Sequence, residues 1–356
     1  MKIDIKNVYD LLPSQIYDVI LKLKDALNIV KEKKETFSKI ANFEKHKHEC
    51  PYCNSTNFIK YGHKDNIQNY LCKDCSRKFN DLTGTVFAGT HLNYEQIEIF
   101  VNCFIDRIPI RKVATRMGVN KNTVYLLRQK ILDSFKEIRE NVTLSGEVEA
   151  DEIYRPINLK GTKRDKMPRF SKHRTSNGTT TRGISNHKVC VIGAIDENDS
   201  MFLQIVGNGQ LTSKMVELAL TPKMGKIKKL NTDCKSSYES EAKKNNWNLK
   251  QIKSDLYTDL EGNNLANINS LHSGLTTFMA PFRGVSTKHY QGYLDWYIFD
   301  KYLNYKFEEN RKPSIVLKNI VTKSTRITIK NMNNNFSGLD FNEIYSDYNY
   351  IRPTLN

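Results

Sequence analysis

The segment Gly146-Glu147-Val148-Glu149-Ala150-Asp151-Glu152-Ile153-Tyr154 alternates acidic and apolar residues at the period of a β-strand. With that period Glu147, Glu149, Asp151 and Ile153 share one face, and Val148, Ala150, Glu152 and Tyr154 share the other. Three carboxylates on one sheet face repel one another unless a metal ion or a base neutralises them. A solvent-facing edge strand is the alternative for such a segment taken alone, and the choice rests on what surrounds it.

Downstream, residues 188–196 read as a buried strand, Glu197-Asn198-Asp199-Ser200 as a turn, and residues 201–206 as a strand pairing back. With the acidic strand these make a three-stranded antiparallel unit. Residues 212–220 read as a helix, 229–233 as a strand ending in Asp233, 236–245 as a helix and 249–252 as a last strand. Three strands, helix, strand, helix, strand is the order of a ribonuclease-H-like α/β fold with a mixed sheet. In that order Asp151 and Asp233 become neighbours, and together they suit a divalent metal for phosphodiester chemistry. Residues 266–278 then read as a helix with Ile268, Leu271, Leu275 and Phe278 on one side and Asn269, His272 and Thr276 on another. A basic, aromatic stretch from Phe282 to Phe299 follows, with Arg283 and Lys288 among its cations.

Composition narrows the partner. The 356 residues are 39% hydrophobic and 26% charged, as in a soluble globular protein long enough for two or more domains. Lys and Arg exceed Asp and Glu by 55 to 39, and a formal charge of +16 favours a polyanion. Nucleic acid comes first and an acidic membrane surface a distant second. No apolar run approaches the roughly 20 residues needed to span a bilayer, and Met1-Lys2-Ile3-Asp4 opens no signal-peptide core. A cytoplasmic protein with no membrane partner is expected.

Seven cysteines without an export signal point to thiols or metal rather than disulfides. Cys50 and Cys53 form one CxxC pair, and after eighteen residues Cys72 and Cys75 form another. Four thiolates so spaced suit one structural Zn²⁺. Residues 58–62 and 69–71 read as the strands of a zinc ribbon, with Arg77-Lys78-Phe79 extending the second. His46 and His48 are expected to be spectators beside four sulfurs, and Cys103, Cys190 and Cys234 are expected to be small buried residues. So small a module holds little core, and chelation is expected to unfold it locally. Lys60, Lys64, Lys73, Arg77 and Lys78 offer its cations to DNA or a partner.

Two helical regions flank this module. Residues 1–45 carry Ile16, Val19, Ile20, Leu23, Leu27 and Val30 at helical spacing, for packing on the same chain or, alternatively, for dimerisation. From 94 to 104, 110 to 117 and 121 to 132 the pattern is again helical, with the turn Gly118-Val119-Asn120 before the third helix and Asn120 or Asn122 as its cap. Val124, Leu127 and Ile131 face inward there, which leaves Lys121, Asn122, Thr123, Tyr125, Arg128 and Gln129 outward. This is a helix-turn-helix pattern whose last helix enters the major groove of DNA; a plain three-helix bundle is the alternative. Residues 156–187 form a long basic insert after the acidic strand.

Taken together, the paired cysteines, the helix-turn-helix, Val148-Glu149-Ala150-Asp151-Glu152-Ile153-Tyr154, the Asp233 strand, and Asn269-Ser270-Leu271-His272-Ser273 followed by Arg283-Gly284-Val285-Ser286 resemble the bacterial insertion-sequence transposases of the ISXO-like group, which are DDE-type enzymes. The resemblance runs over roughly residues 45–305. It implies that Asp151 and Asp233 are the catalytic aspartates and that the third position falls on Asn269, where many relatives carry Glu and some carry Asn. Thr276 stands where relatives tend to have Lys. It further implies two Mg²⁺ or Mn²⁺ ions, bridged by Asp151, with Asp233 on one of them and the amide oxygen of Asn269 as a weaker ligand. Glu149 is an auxiliary candidate, His272 a contact to phosphate or nucleophile, and Glu152, on the opposite face, no ligand.

The resulting layout is a helical segment over 1–45, a zinc ribbon over 46–82, a helix-turn-helix over 90–140, a catalytic domain over 146–305 and a C-terminal extension over 306–356. The partners implied are double-stranded DNA, at element ends and target, and a second copy of the chain in a homodimer or larger synaptic assembly. Asn269 and Thr276 keep open a second reading, a catalytically impaired or domesticated transposase acting as a sequence-specific DNA-binding protein. A metal-dependent nuclease without joining activity is a third. The tail, alternating apolar and basic residues over 315–329, is expected to pack peripherally on the catalytic domain or on a second subunit.

Overall fold

The computed structural model describes residues 49–64, 67–80, 82–163, 167, 184–253, 262–322, 325, 327–334 and 337–345. The expected N-terminal helix, His46, His48 and most of the basic insert lie outside the described residues. The chain divides into two units, Met1–Asn102 with Pro313–Thr325, and Cys103–Lys312 with Arg326–Asn356.

In the first unit, β1 (Phe58–Lys64), β2 (Ile67–Cys72) and β3 (Lys78–Asn80) form an antiparallel sheet in that order. Its core is small and aromatic. Tyr70 stacks on Phe79 at 5.1 Å, and Phe58 meets both edge-on beside buried Cys50 and Cys72. Residues 78–80 make a third strand instead of extending the second. The chain reverses at Ser76, whose φ of 56° is left-handed, as is that of Asn54, the residue after the other CxxC pair.

Helix α1 (Tyr94–Ile105) runs from the first unit into the second. The second unit continues with α2 (Ile110–Met117), α3 (Lys121–Ser134) and α4 (Lys136–Asn141). Gly118, at φ 64°, closes α2 in the left-handed conformation that a side chain disfavours. Asn120 then caps α3 by accepting from the Asn122 N–H.

The main sheet follows: β4 (Leu144–Pro156), β5 (Lys188–Asp196), β6 (Met201–Asn208), β7 (Met224–Asp233) and β8 (Leu249–Ile252). Their spatial order is β6-β5-β4-β7-β8, with the β6–β5 and β5–β4 pairs antiparallel and the β4–β7 and β7–β8 pairs parallel. The acidic strand is therefore the centre of the sheet and not an edge. Centrality explains its composition: Val148 and Ala150 join Cys190, Ile192, Ala194, Phe202 and Leu230 in a core covered by α5 (Ser213–Ala219) and α6 (Ser236–Asn245).

The opposite face is covered by α7 (Ala266–Met279) and α8 (Thr287–Lys306). Helix α7 lies so close that a methyl group added at Gly193 would sit 2.9 Å from His272 Nε2 and 2.9 Å from Leu203 Cδ2. Helix α8 closes the sheet edge: Gln291 accepts from the Ile205 N–H at 2.8 Å and donates to the Leu203 carbonyl at 2.9 Å. The alternation over 315–329 yields a helix, α9 (Lys312–Thr322), because Val316 and Ile320, four residues apart, are both buried. Residues 327–334 pack within the second unit, where the Lys288 ammonium donates to the Asn333 carbonyl, and α10 (Phe341–Ile344) is capped by Asp340.

Gly193→Val overpacks the sheet–α7 contact and is expected to cost about 1–3 kcal/mol in urea denaturation. A variant as stable as wild type would contradict the close approach.

Candidate active site

Strand β4 places Asp151 opposite Gly193 of β5 and runs parallel to β7, whose last residue is Asp233. Oxygen atoms of Asp151, Glu152 and Asp233 all come within 4.8 Å of one another. The expected pairing of Asp151 with Asp233 is thus met in space. Glu152 joins them although it belongs to the other strand face, a convergence that strand parity did not reveal. Its carboxylate accepts from the Tyr154 and Tyr238 hydroxyls at 3.2 and 3.3 Å.

Charge is concentrated here. Burial, reinforced by the charges of Glu152 and Asp233, raises the Asp151 pKa to about 7. Lys235, two residues past Asp233, bonds both Glu152 and Asp233. Burial opposes the charge on Lys235, but these two carboxylates outweigh it and raise its pKa. Asp233 Oδ1 is nevertheless buried without a hydrogen-bond partner. Three acids around an unpartnered carboxylate oxygen fit an oxygen-seeking divalent cation, with Lys235 as the resident counter-charge.

Helix α7 is tied to this strand by Glu149. Its Oε2 accepts from the Ile268 backbone N–H at 2.9 Å and its Oε1 from the Asn267 side-chain amide at 2.7 Å. Asn264 Oδ1 accepts from the Ala266 N–H at 3.0 Å, and the buried Glu149 supplies the negative charge at this helix start. With both oxygens engaged, Glu149 is a helix anchor rather than the auxiliary ligand expected. The anchored helix brings His272 Nδ1 to 3.6 Å from Asp151 Oδ2, and burial, aided by the Arg155 charge, lowers the His272 pKa to about 4. Asn269 is exposed, about one turn before His272 on the same flank of α7.

The residues expected to read DNA from α3 divide. Lys121 and Asn122 are exposed, and Thr123 is half-buried. Tyr125 is half-buried, with its hydroxyl 2.8 Å from His289 Nε2. Arg128 and Gln129 are buried, contrary to expectation. The Arg128 guanidinium donates to the Ile108 carbonyl at 2.6 Å and lies over the rings of Phe282 and Trp296. The cause is α8, which presents Gly292 so close to Leu132 that α3 is enclosed on its supposed outer side as well. Arg283 is exposed, in a left-handed conformation, and Lys288 is half-buried.

In the first unit, Cys50, Cys53, Cys72 and Cys75 converge. The Cys50–Cys75 and Cys53–Cys72 sulfurs are 3.7 and 3.6 Å apart. Tetrahedral zinc at Zn–S 2.3 Å requires a separation of about 3.8 Å, so the four fit it. Backbone N–H groups of Cys75 and Asp74 lower the Cys72 thiol to about 7, whereas burial and the neighbouring sulfurs raise the Cys53 and Cys75 thiols, as crowding four sulfurs together requires.

No family model matches the chain. It is 38% identical over 135 residues to an uncharacterized protein in transposable element ISH50 of Halobacterium salinarum; the match covers 38% of this chain and 43% of that protein. The chain thus spans less than half the length of that relative. Among solved structures, the Mos1 strand transfer complex is matched over 64% of this chain and 78% of the other, at 15% identity and a TM-score of 0.25. A pre-cleavage Mos1 transpososome is matched over the same shares at 11% identity and a TM-score of 0.20. Likenesses at these TM-scores carry no argument. No helix among the described residues is long and apolar enough to cross a membrane.

With a folded pKa near 7 against an ordinary 3.8, Asp151 binds more protons folded than unfolded between those values. Metal-free stability therefore falls as pH rises through that window, and the full penalty is present above it. Asp151→Asn is expected to stabilise the protein in EDTA near pH 8 by on the order of 2 kcal/mol, allowing for partial solvent access, and to change little near pH 4. Destabilisation near pH 8 in urea titrations would contradict the arrangement.

Proposed function

We propose that the second unit is a polynucleotidyl transferase acting on double-stranded DNA, with a ribonuclease-H-like sheet. More specifically, we propose a DDE-type transposase of the ISXO-like group that binds the terminal inverted repeats of an insertion sequence, cleaves there and joins the 3′ ends to target DNA. The observation that carries the reading is the convergence of Asp151 and Asp233 from parallel neighbouring strands, with a buried Asp233 oxygen lacking a hydrogen-bond partner. The partial likeness to a protein in a transposable element supports the same direction.

In this reading Asp151 and Asp233 hold Mg²⁺ or Mn²⁺, and the Asn269 amide oxygen adds a neutral ligand. Such metal, as a pair of ions, supplies Lewis-acid assistance to an in-line displacement at phosphorus. The reaction is a plain exchange of ester bonds: the oxygen of water or of a 3′-hydroxyl bonds to phosphorus as the opposite P–O bond breaks. His272, kept neutral by burial, orients Asp151 and adds no charge beside the incoming phosphate. Glu149 holds α7, and with it Asn269 and His272, at the sheet. Lys235 balances Glu152 and Asp233.

The proposed DNA contacts are Lys121, Asn122, Thr123, Arg283 and Lys288; buried Arg128 and Gln129 support α3 instead. The four-cysteine module binds one structural Zn²⁺ as a zinc ribbon, and cleavage takes place in a homodimer or larger synaptic assembly in the cytoplasm. A second reading, a DNA-binding protein without strand chemistry, is favoured by one observation: the residue beside His272 on α7 is an amide, Asn269, and not a carboxylate.

The test is incubation of the full chain with Mn²⁺ and a plasmid carrying the DNA that flanks the coding sequence. Strand breaks with free 3′-hydroxyls at the element ends, reduced at least about 10³-fold in Asp233→Ala, are expected. End-specific binding with no breakage in wild type would establish the DNA-binding reading.

A further inference from the structure

Arg155 has entered the site so far only through its charge on His272. It lies on the same face of β4 as Asp151, four residues further along, about 13 Å away by strand rise. Its guanidinium donates to Thr276 Oγ1 on α7 at 2.6 Å and also bonds the Tyr290 side chain on α8. Its charge reaches His272, which in turn approaches Asp151. No carboxylate among the described residues forms an ion pair with it. An arginine always carries its charge and offers five donors, and neutral hydroxyls leave that charge uncompensated.

The chain after Arg155 continues the pattern. Asn158 is stitched to the start of α8: its carbonyl accepts from the Thr287 N–H at 2.8 Å, and its own N–H donates to Thr287 Oγ1 at 2.8 Å. Lys160 donates to the Gly284 carbonyl at 3.2 Å, next to exposed Arg283. Arg155, Lys160 and Arg283 therefore belong to one end of the sheet face that carries Asp151, with Lys160 and Arg283 on the surface.

We infer that Arg155 is a phosphate-binding residue, seated on the Thr276 and Tyr290 side chains, that holds a backbone phosphate of the DNA strand near the one undergoing reaction, with Lys160 and Arg283 extending the track. The inference rests on the strand-chemistry reading for the strand it names. A guanidinium suits the role because it grips two phosphate oxygens at once. Direct contact places Arg155 beside substrate without assigning it any bond-making step.

The test measures binding of the full chain to a fluorescent duplex of the flanking DNA at several salt concentrations in Ca²⁺, and cleavage kinetics in Mn²⁺. Arg155→Ala is expected to weaken binding about 3- to 10-fold and to flatten the slope of log affinity against log salt by about one. Arg155→Lys keeps the slope and loses part of the affinity. Arg155→Gln, which retains a donor for Thr276 without charge, guards against a folding defect in the alanine variant and should flatten the slope equally. An unchanged slope in Arg155→Gln would overturn the phosphate contact even if wild type cleaves normally. A flattened slope with no cleavage in wild type would uphold the contact and remove the catalytic reading.

Discussion

The geometry of the site depends on one buried carboxylate, Glu149, meeting the first turn of α7. A helix end must satisfy its free N–H groups, and the Asn264 side chain takes that of Ala266. The strand that carries Asp151 takes that of Ile268. That exchange fixes the helix against the sheet two residues from Asp151, and it sets His272 beside the Asp151 carboxylate. Gly193 leaves the room that this approach needs, and Gln291 completes the layer by pairing with the edge of β6. A neutral residue at 149 would leave the helix start without its anion.

Charge balance is the second constraint. Asp151, Glu152 and Asp233 crowd their oxygens into one small volume, and a single ammonium, that of Lys235, bonds two of them. The remaining strain falls on Asp151, whose proton is held well above the usual carboxylate range. A protein tolerates such a cluster when a ligand repays its cost, and divalent cations are the ligands that three carboxylates suit. On the opposite side of Glu152, the Tyr154 and Tyr238 hydroxyls satisfy its oxygens without adding charge.

Much of this was legible in the sequence, for identifiable reasons. The period-two alternation over 146–154 marked β4 and sorted its faces, and Val148 and Ala150 do join the core. Turn residues and apolar runs located β5 to β8, α5, α6 and α7. The two CxxC pairs foretold the convergence of four sulfurs. What escaped were contacts made between elements. Glu149 shares a face with Asp151, so it read as a ligand, whereas a helix start had claimed it. Glu152 read as irrelevant by parity, yet Lys235 and Asp233 reach it from the end of β7. Arg128 and Gln129 sat outward on a helical wheel, but α8 covers that side, and Gly292 in its sequence was the only hint. The helix over 312–322 was hidden by an alternation in which Val316 and Ile320 are the residues that matter.

The central claim is that the carboxylates of β4 and β7 hold a divalent cation within reach of α7. Anomalous diffraction from crystals of the full chain soaked in Mn²⁺ tests it most directly. The account predicts manganese bonded to Asp151 and Asp233, the Asn269 amide oxygen turned toward it, and Lys235 withdrawn from Asp233. Manganese absent from these residues, with Lys235 still bonded to both Glu152 and Asp233, would contradict it.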